Sequence, residues 1–376
     1  MNSNYEPLGK NIRLVDIRNN DCITERVLGI SIDKFFMPSV ANVIGTDLSK
    51  YKLLKQGYFA CNPMHVGRDE RLPVALYDEQ EPGIVSPAYF MFEVIDKEHL
   101  LPDYLMMWFR RPEFDRQCWF RTDGSVRGGI TWDDLCRMEL PVPEIGVQKN
   151  MVKSYQAITD RIALKRKIND NLEAQMRAYV RAFTANKTST TGKLKDYSIM
   201  QYGYTETATA EPVGPKFLRI TDIAQNYIDW TNVPYCPISK ENYSKYVLSE
   251  GDVVVARTGA TVGYSKMMGK KIPDSVFASF LVRIRPLDNE YKYYLGLTIT
   301  SAEFLKFVQT NAGGSAQPQA NPPLLGEYEL SIPDKHTLVA FNNTVIPFLA
   351  AIECNEAEIS KLNEIRDTMV AMLSRH

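Results

Sequence analysis

The chain has 376 residues, 44 Lys and Arg against 45 Asp and Glu, and an apolar content of 44%, with a formal net charge of −1. That length and apolar content suit two domains of ordinary size, each with its own core. The balanced charge argues against unaided nucleic-acid binding, because phosphate contacts favour a basic domain, although a partner can complete a composite surface. Cys22, Cys61, Cys118, Cys136, Cys236 and Cys354 include no C-x-x-C and no His at zinc spacing, which argues against a disulfide framework or a zinc finger. No uninterrupted apolar run reaches the length of a bilayer, and Met1 to Lys10 is polar. The expectation is a cytoplasmic chain in a reducing compartment, without membrane contact.

The first globular part, residues 1–145, alternates apolar runs with turn signals. Tyr58-Phe59-Ala60-Cys61, Val74-Ala75-Leu76-Tyr77 and Ala88 to Val94 read as strands, punctuated by Gly57, Asn62-Pro63 and Glu81-Pro82-Gly83. Pro102 and Pro112 each open a helix, because proline's missing N–H has no helical partner at a first position. Thr131 followed by Asp134 reads as an N-cap with an acidic residue three positions on. Residues 146–188 then form a long helix and a Ser/Thr-rich joint.

The second part, residues 189–334, repeats the plan, with strands at Asp252 to Ala256 and Phe280 to Ile284 and a helix entered at Ser301. A second long helix occupies residues 335–376. The repeat has a measurable period: Glu139-Leu140-Pro141-Val142-Pro143 returns as Glu329-Leu330-Ser331-Ile332-Pro333, and 329 minus 139 is 190. The same period carries Val27-Leu28-Gly29-Ile30-Ser31 onto Phe217-Leu218-Arg219-Ile220-Thr221.

Both long helices place apolar residues at alternating steps of four and three, the spacing of a seam along one face. Ile158, Ile162, Leu172 and Met176 form it in the first helix, and Phe348, Ile352, Ile359 and Leu362 in the second, with polar Lys165, Asn169 and Asn355 on the same line. Ile158 to Arg177 holds five basic and three acidic residues, and Phe348 to Asp367 two basic and five acidic, so opposite charge favours pairing of the two. Pro347 either starts a segment or kinks one. The fold class expected is α+β: two tandem domains joined by two long antiparallel helices, with pseudo-two-fold symmetry.

Searching for chemistry yields little. Gly259-Ala260-Thr261-Val262-Gly263 is followed by Tyr264 rather than Lys-Ser/Thr, so it reads as a strand-end turn and not a phosphate loop. His65, His99, His336 and His376 stand apart from one another, and no nucleophile elbow occurs. Asn321-Pro322-Pro323-Leu324 resembles the Asn-Pro-Pro-aromatic loop of amino-methylating DNA methyltransferases, but Leu324 replaces the aromatic and no glycine-rich methyl-donor site accompanies it. Groups suited to DNA are more numerous at the strand ends. Asn62, His65, Arg68 and Arg71 follow one strand, and Arg257, Thr258, Thr261, Tyr264 and Lys266 follow its counterpart. Arg and Asn read base edges, while Lys, Thr and Tyr hold phosphates.

Over nearly its whole length the chain resembles the specificity subunit of Type I restriction-modification systems. The resemblance rests on Tyr246 to Thr261, on Gly124-Ser125-Val126-Arg127 before the Pro-ended strand, and on the heptad helix closing each unit. It implies a non-catalytic chain whose two target-recognition domains each read half of a split site in double-stranded DNA, with Ser125 and Arg127 added to the contact set. It also implies two modification subunits docked on the helices, and restriction subunits beyond them. The chain itself would bind no cofactor, since S-adenosylmethionine, ATP and magnesium belong to those partners. The first copy departs from the pattern at Ala60-Cys61-Asn62-Pro63-Met64-His65, and the second copy has no Arg at the place of Arg127.

The seam from Ile158 to Phe183 covers 25 steps, roughly 38 Å at about 1.5 Å each. Half-site centres about one turn of DNA apart, some 34–36 Å, are therefore expected, and methylome sequencing checks this. The competing readings are a stand-alone adenine methyltransferase or nuclease, for which Asn321 is the support, and a coiled-coil scaffold unrelated to DNA.

Overall fold

A computed structural model describes residues 5–40, 45–64, 66–122, 128–185, 190–224, 227–313 and 319–373. The chain divides into two compact units, residues 1–162 with 362–376, and residues 163–361, so the division passes through both long helices.

In the first unit a four-stranded antiparallel sheet has the order Ile12–Leu14, Phe90–Val94, Phe59–Cys61, Val74–Leu76. Its inner face is aromatic: Phe59 stacks on Phe92 at 5.0 Å, and Phe109 meets both rings edge-on. Phe109 is delivered by the helix Pro102–Phe109, with proline at its first position, and the helix Pro112–Phe120 adds Phe114 to the same core. Thr131 caps the next helix by accepting the Asp134 N–H. Glu139–Pro141 closes the unit by pairing antiparallel with Tyr5–Pro7.

The second unit is built on the same plan. Its sheet runs Ser198–Tyr202, Leu281–Pro286, Val253–Ala256, Ser265–Met267, and Glu329–Ile332 closes it against Thr190–Lys193. The 190-residue echo therefore marks equivalent closing strands. Phe217 lies in a parallel pairing opposite Val276, as Val27 bridges in parallel to Ile84. Gly259 and Gly263 have φ of +76° and +86°, backbone that side-chain-bearing residues adopt at a cost. They bracket the turn between Val253–Ala256 and Ser265–Met267, where Gly263 N–H donates to Ala256 and Ala256 N–H to Tyr264.

The long helices span Ile145–Ala185 and Lys335–Met372. In the second unit their contacts run in opposite directions: Lys165 meets Glu358, Asn169 meets Asn355, and Tyr179 stacks on Phe341. The helices are thus antiparallel, and Leu172, Met176, Phe348 and Ile352 pack in one cluster with Phe341 and Val345. Ile359 is buried on the same side. In the first unit Val152 and Tyr155 share the core with Val370 and Leu373; Ile162 is buried, while Ile158 and Leu362 are half-buried. Pro347 stays inside a continuous helix, neither starting a segment nor ending one. An internal proline costs about 3 kcal/mol, and the burial of Phe341 and Val345 before it and Ile352 after it offsets that.

The second long helix is also long and apolar enough, by length and composition, to suit a membrane span, a property that a search for uninterrupted apolar runs overlooks. Its side chains are engaged otherwise: Phe341, Val345 and Ile352 enter the core, and the Asn342 amide donates to the Glu290 carbonyl.

The seam's polar residues bond to one another. Lys165 donates to Asn355 Oδ1 at 2.8 Å, and Asn355 Nδ2 donates to Asn169 Oδ1 at 2.7 Å, both asparagines being buried. Asn355→Leu leaves the Asn169 carbonyl without that donor, so a loss of about 1–3 kcal/mol is expected in urea denaturation. The double change Asn169→Leu with Asn355→Leu should cost less than the single one, since an apolar seam needs no partner for either amide. A double variant weaker than the single would show that the pair contributes no such coupling.

Candidate nucleic-acid interface

In the second unit the strand Val253–Ala256 is buried throughout and delivers Arg257 at its open end. Arg257 is fixed through its backbone on two sides: its N–H donates to Phe280 and its carbonyl accepts from Ala320. Its guanidinium lies 4.7 Å from the centroid of the Tyr202 ring, and Nη1 donates to the Ser279 carbonyl at 3.3 Å. Arginine carries five N–H donors in a rigid fork. A side chain held by a ring face and one carbonyl keeps donors for a further acceptor without losing much rotamer freedom on binding.

Thr258 follows in extended conformation and bridges to Gln319. Thr261 ends the short 3-10 turn, and its carbonyl accepts from Tyr264, which is exposed. Arg257, Thr258, Thr261 and Tyr264 are therefore gathered on one turn at the sheet end. Lys266 is not: it lies on the strand Ser265–Met267, with Glu173, Arg177, Glu356 and Asp170 of the long helices nearby, and burial lowers its pKa. Tyr202 and Gln319 complete the Arg257 surroundings and were not anticipated. They come from chain segments far from Arg257, and only the strand order brings them beside it.

Arg283 and Arg285 lie on the neighbouring strand but serve the fold. Arg283 donates to the carbonyls of Val247 and Lys245 and to Gln201; burial, then Arg285, lowers its pKa to about 10. Arg285 forks onto Asp252.

The first unit arranges the equivalent end differently. Its ladder pairs Cys61 with Phe90 where the second unit has Arg257 beside Phe280, and Cys61 is buried. Asn62 accepts the Met64 N–H through Oδ1 at 3.1 Å, shaping the loop. Arg71 is exposed and reaches Asp33 at 3.1 Å. Arg68 belongs to the short helix Val66–Asp69, but its side chain, like His65, Ser125 and Arg127, lies outside the described residues.

Asn321, the residue that hinted at methyl transfer, is a helix cap: its Oδ1 accepts the Leu324 N–H at 2.9 Å at the start of Pro322–Gly326. Among the described residues, no group of three His, Cys, Asp or Glu side chains could hold a metal ion.

Residues 206–364 match the family model of the Type I restriction modification DNA specificity domain. No curated protein matches the chain. Among solved structures, the Type-I restriction-modification S subunit from M. genitalium is similar at 13% identity and a TM-score of 0.53, covering 98% of this chain and 95% of that one. The HsdS subunit from Thermoanaerobacter tengcongensis aligns over 98% of this chain and 95% of its own at 15% identity, with a TM-score of 0.36. The match of the specificity-domain family falls on the segment that contains the Arg257 turn and much of the second long helix, so this part of the chain is similar to the DNA specificity domain of Type I restriction-modification systems, and the chain as a whole shares the fold of the M. genitalium S subunit.

Proposed function

We propose that the open sheet end of the second unit reads one half of a bipartite DNA target, and that the first unit reads the other half. The observation that carries this is the Arg257 guanidinium, braced by Tyr202 and Ser279 at the end of a fully buried strand. A fork held in this way suits the O6 and N7 acceptors of guanine in the major groove. Thr258, Thr261 and Tyr264 on the same turn suit phosphate oxygens, which set register without specifying sequence.

Two modification subunits dock on the long helices in this reading, and restriction subunits join them. Methyl transfer from S-adenosylmethionine and ATP- and magnesium-dependent work reside in those partners. Apolar side chains that the seam leaves in solvent support the docking role: Leu164, Ile168, Val339 and Ile346 are exposed on the helices of the second unit. Partner subunits also supply positive potential that a chain of net charge −1 lacks.

The test is Arg257→Ala in a host whose methylated target has been mapped by sequencing. One position of one half-site should become degenerate, with a cost of about 1–3 kcal/mol at that base and little at the others. Weakening spread evenly over all sequences would assign Arg257 to a phosphate. An unchanged motif with unchanged affinity would remove this sheet end from the interface.

A further inference from the structure

Phe280 stands next to Arg257 yet does not join the core. Its carbonyl accepts the Arg257 N–H, and its neighbour Ser279 accepts from the Arg257 guanidinium. Whereas the preceding Phe277 and following Leu281 are fully buried, Phe280 leaves 57% of its surface in water. The equivalent position of the first unit, Phe90, is half-buried and packs on Trp132 at 5.7 Å. In the second unit Pro322, not an aromatic residue, occupies the place of Trp132 one period on.

The surroundings of Phe280 are polar. Arg257, Ser279, Thr258 and Gln319 lie at the same sheet end, and the exposed ring of Tyr202 is engaged with the guanidinium. An isolated apolar side chain in such a setting lacks the contiguous apolar patch that a protein partner needs. It does suit the major groove, where the one apolar feature among hydrogen-bonding edges is the C5-methyl group of thymine.

We propose that Phe280 is a specificity-determining residue that packs on a thymine methyl group beside the base read by Arg257. Because ring and guanidinium leave adjoining backbone positions, the thymine lies within about two base pairs of that guanine, neighbouring pairs being about 3.4 Å apart. This rests on the reading of the sheet end as a DNA-contacting surface.

The experiment uses the full chain assembled with its modification subunits, and duplexes carrying the target mapped by methylation sequencing. Each thymine of the second half-site is replaced in turn by deoxyuridine, which lacks only the methyl group. One replacement should weaken binding about four-fold, the equivalent of one buried methyl group. In Phe280→Ala the thymine duplex should bind more weakly and the same replacement should have no effect, whereas Phe280→Leu should stay sensitive. Equal sensitivity in the original and alanine proteins, insensitivity at every thymine, or a half-site with no thymine near the guanine overturns the proposal. Arg257→Ala, measured in parallel, separates the two failures. If Arg257 governs one base while deoxyuridine changes nothing, only the role of Phe280 falls; if neither matters, the sheet end is not the DNA surface.

Discussion

Asp115→Ala is expected to destabilise the first unit by about 3–5 kcal/mol, the range for removing one partner of a buried ion pair. Asp115 Oδ1 accepts from Lys34 Nζ at 2.6 Å and from the Leu72 N–H at 3.0 Å. Lys34 also donates to the Phe109 carbonyl at 2.7 Å, and its ammonium sits 4.8 Å from the centre of the Phe114 ring. Burial already lowers the Lys34 pKa below its ordinary 10.5, against the opposing pull of Asp115. Alanine removes that pull and leaves Leu72 short of an acceptor. With the folded pKa depressed further, the unfolded chain binds more protons between the two pKa values, so the variant's stability rises with pH until about 10.5. Urea denaturation at pH 7 and pH 9 should show part of the loss recovered at the higher pH. Lys34→Met combined with Asp115→Leu should lose far less than Asp115→Ala alone; equal losses would mean that the charge pair is not the cause.

That pair shows where sequence reading stops. Lys34 ends a turn, Asp115 lies on a helix, and a separation of 81 residues hides their contact. The elements with local marks were legible. Phe59–Cys61 lies between glycine and Asn-Pro signals, Pro102 and Pro112 open their helices, and Ser301 caps Ala302–Asn311 by accepting the Phe304 N–H. Three-residue strands such as Ile12–Leu14 carry too little alternation to be read, since pairing across the sheet selects them. The seam was readable because its period persists over many turns, while the bond between Lys165 and Asn355, one 190-residue period apart, required knowing which way the helices run.

The candidate site divides in the same way. Arg257 and Thr258 were legible as polar residues directly after a buried strand. Lys266 shares their composition, but the strand Ser265–Met267 turns that residue toward acidic groups of the long helices, an environment a linear reading does not contain. Tyr202, Ser279 and Gln319 owe their places around Arg257 to the order of strands in the sheet and to one isolated bridge. Nothing in the local sequence separates them from other loop residues.

The support beneath Arg257 leads to the second large effect. Asp252, 1% exposed, immediately precedes the strand Val253–Ala256 and accepts from Arg285 Nε at 2.7 Å, Arg285 Nη2 at 2.6 Å and the Ser249 N–H at 2.8 Å. Arg285 and Arg283 lie on the adjoining strand Leu281–Pro286, so one carboxylate balances two guanidiniums and joins the strands that deliver Arg257 and Phe280. Asp252→Ala should cost about 3 kcal/mol, the low end for a broken buried pair because Arg285 stays partly in water. If the proposed DNA surface holds, discrimination at the second half-site should weaken with it, although Asp252 itself is buried. Asp252→Asn, which keeps acceptor oxygen but not charge, should fall between. The decisive comparison adds Arg285→Leu to Asp252→Ala: recovery of stability without recovery of base discrimination would show that the strand needs this particular clamp to aim Arg257. A single variant as stable and as selective as the original chain would show instead that strand pairing alone holds the site.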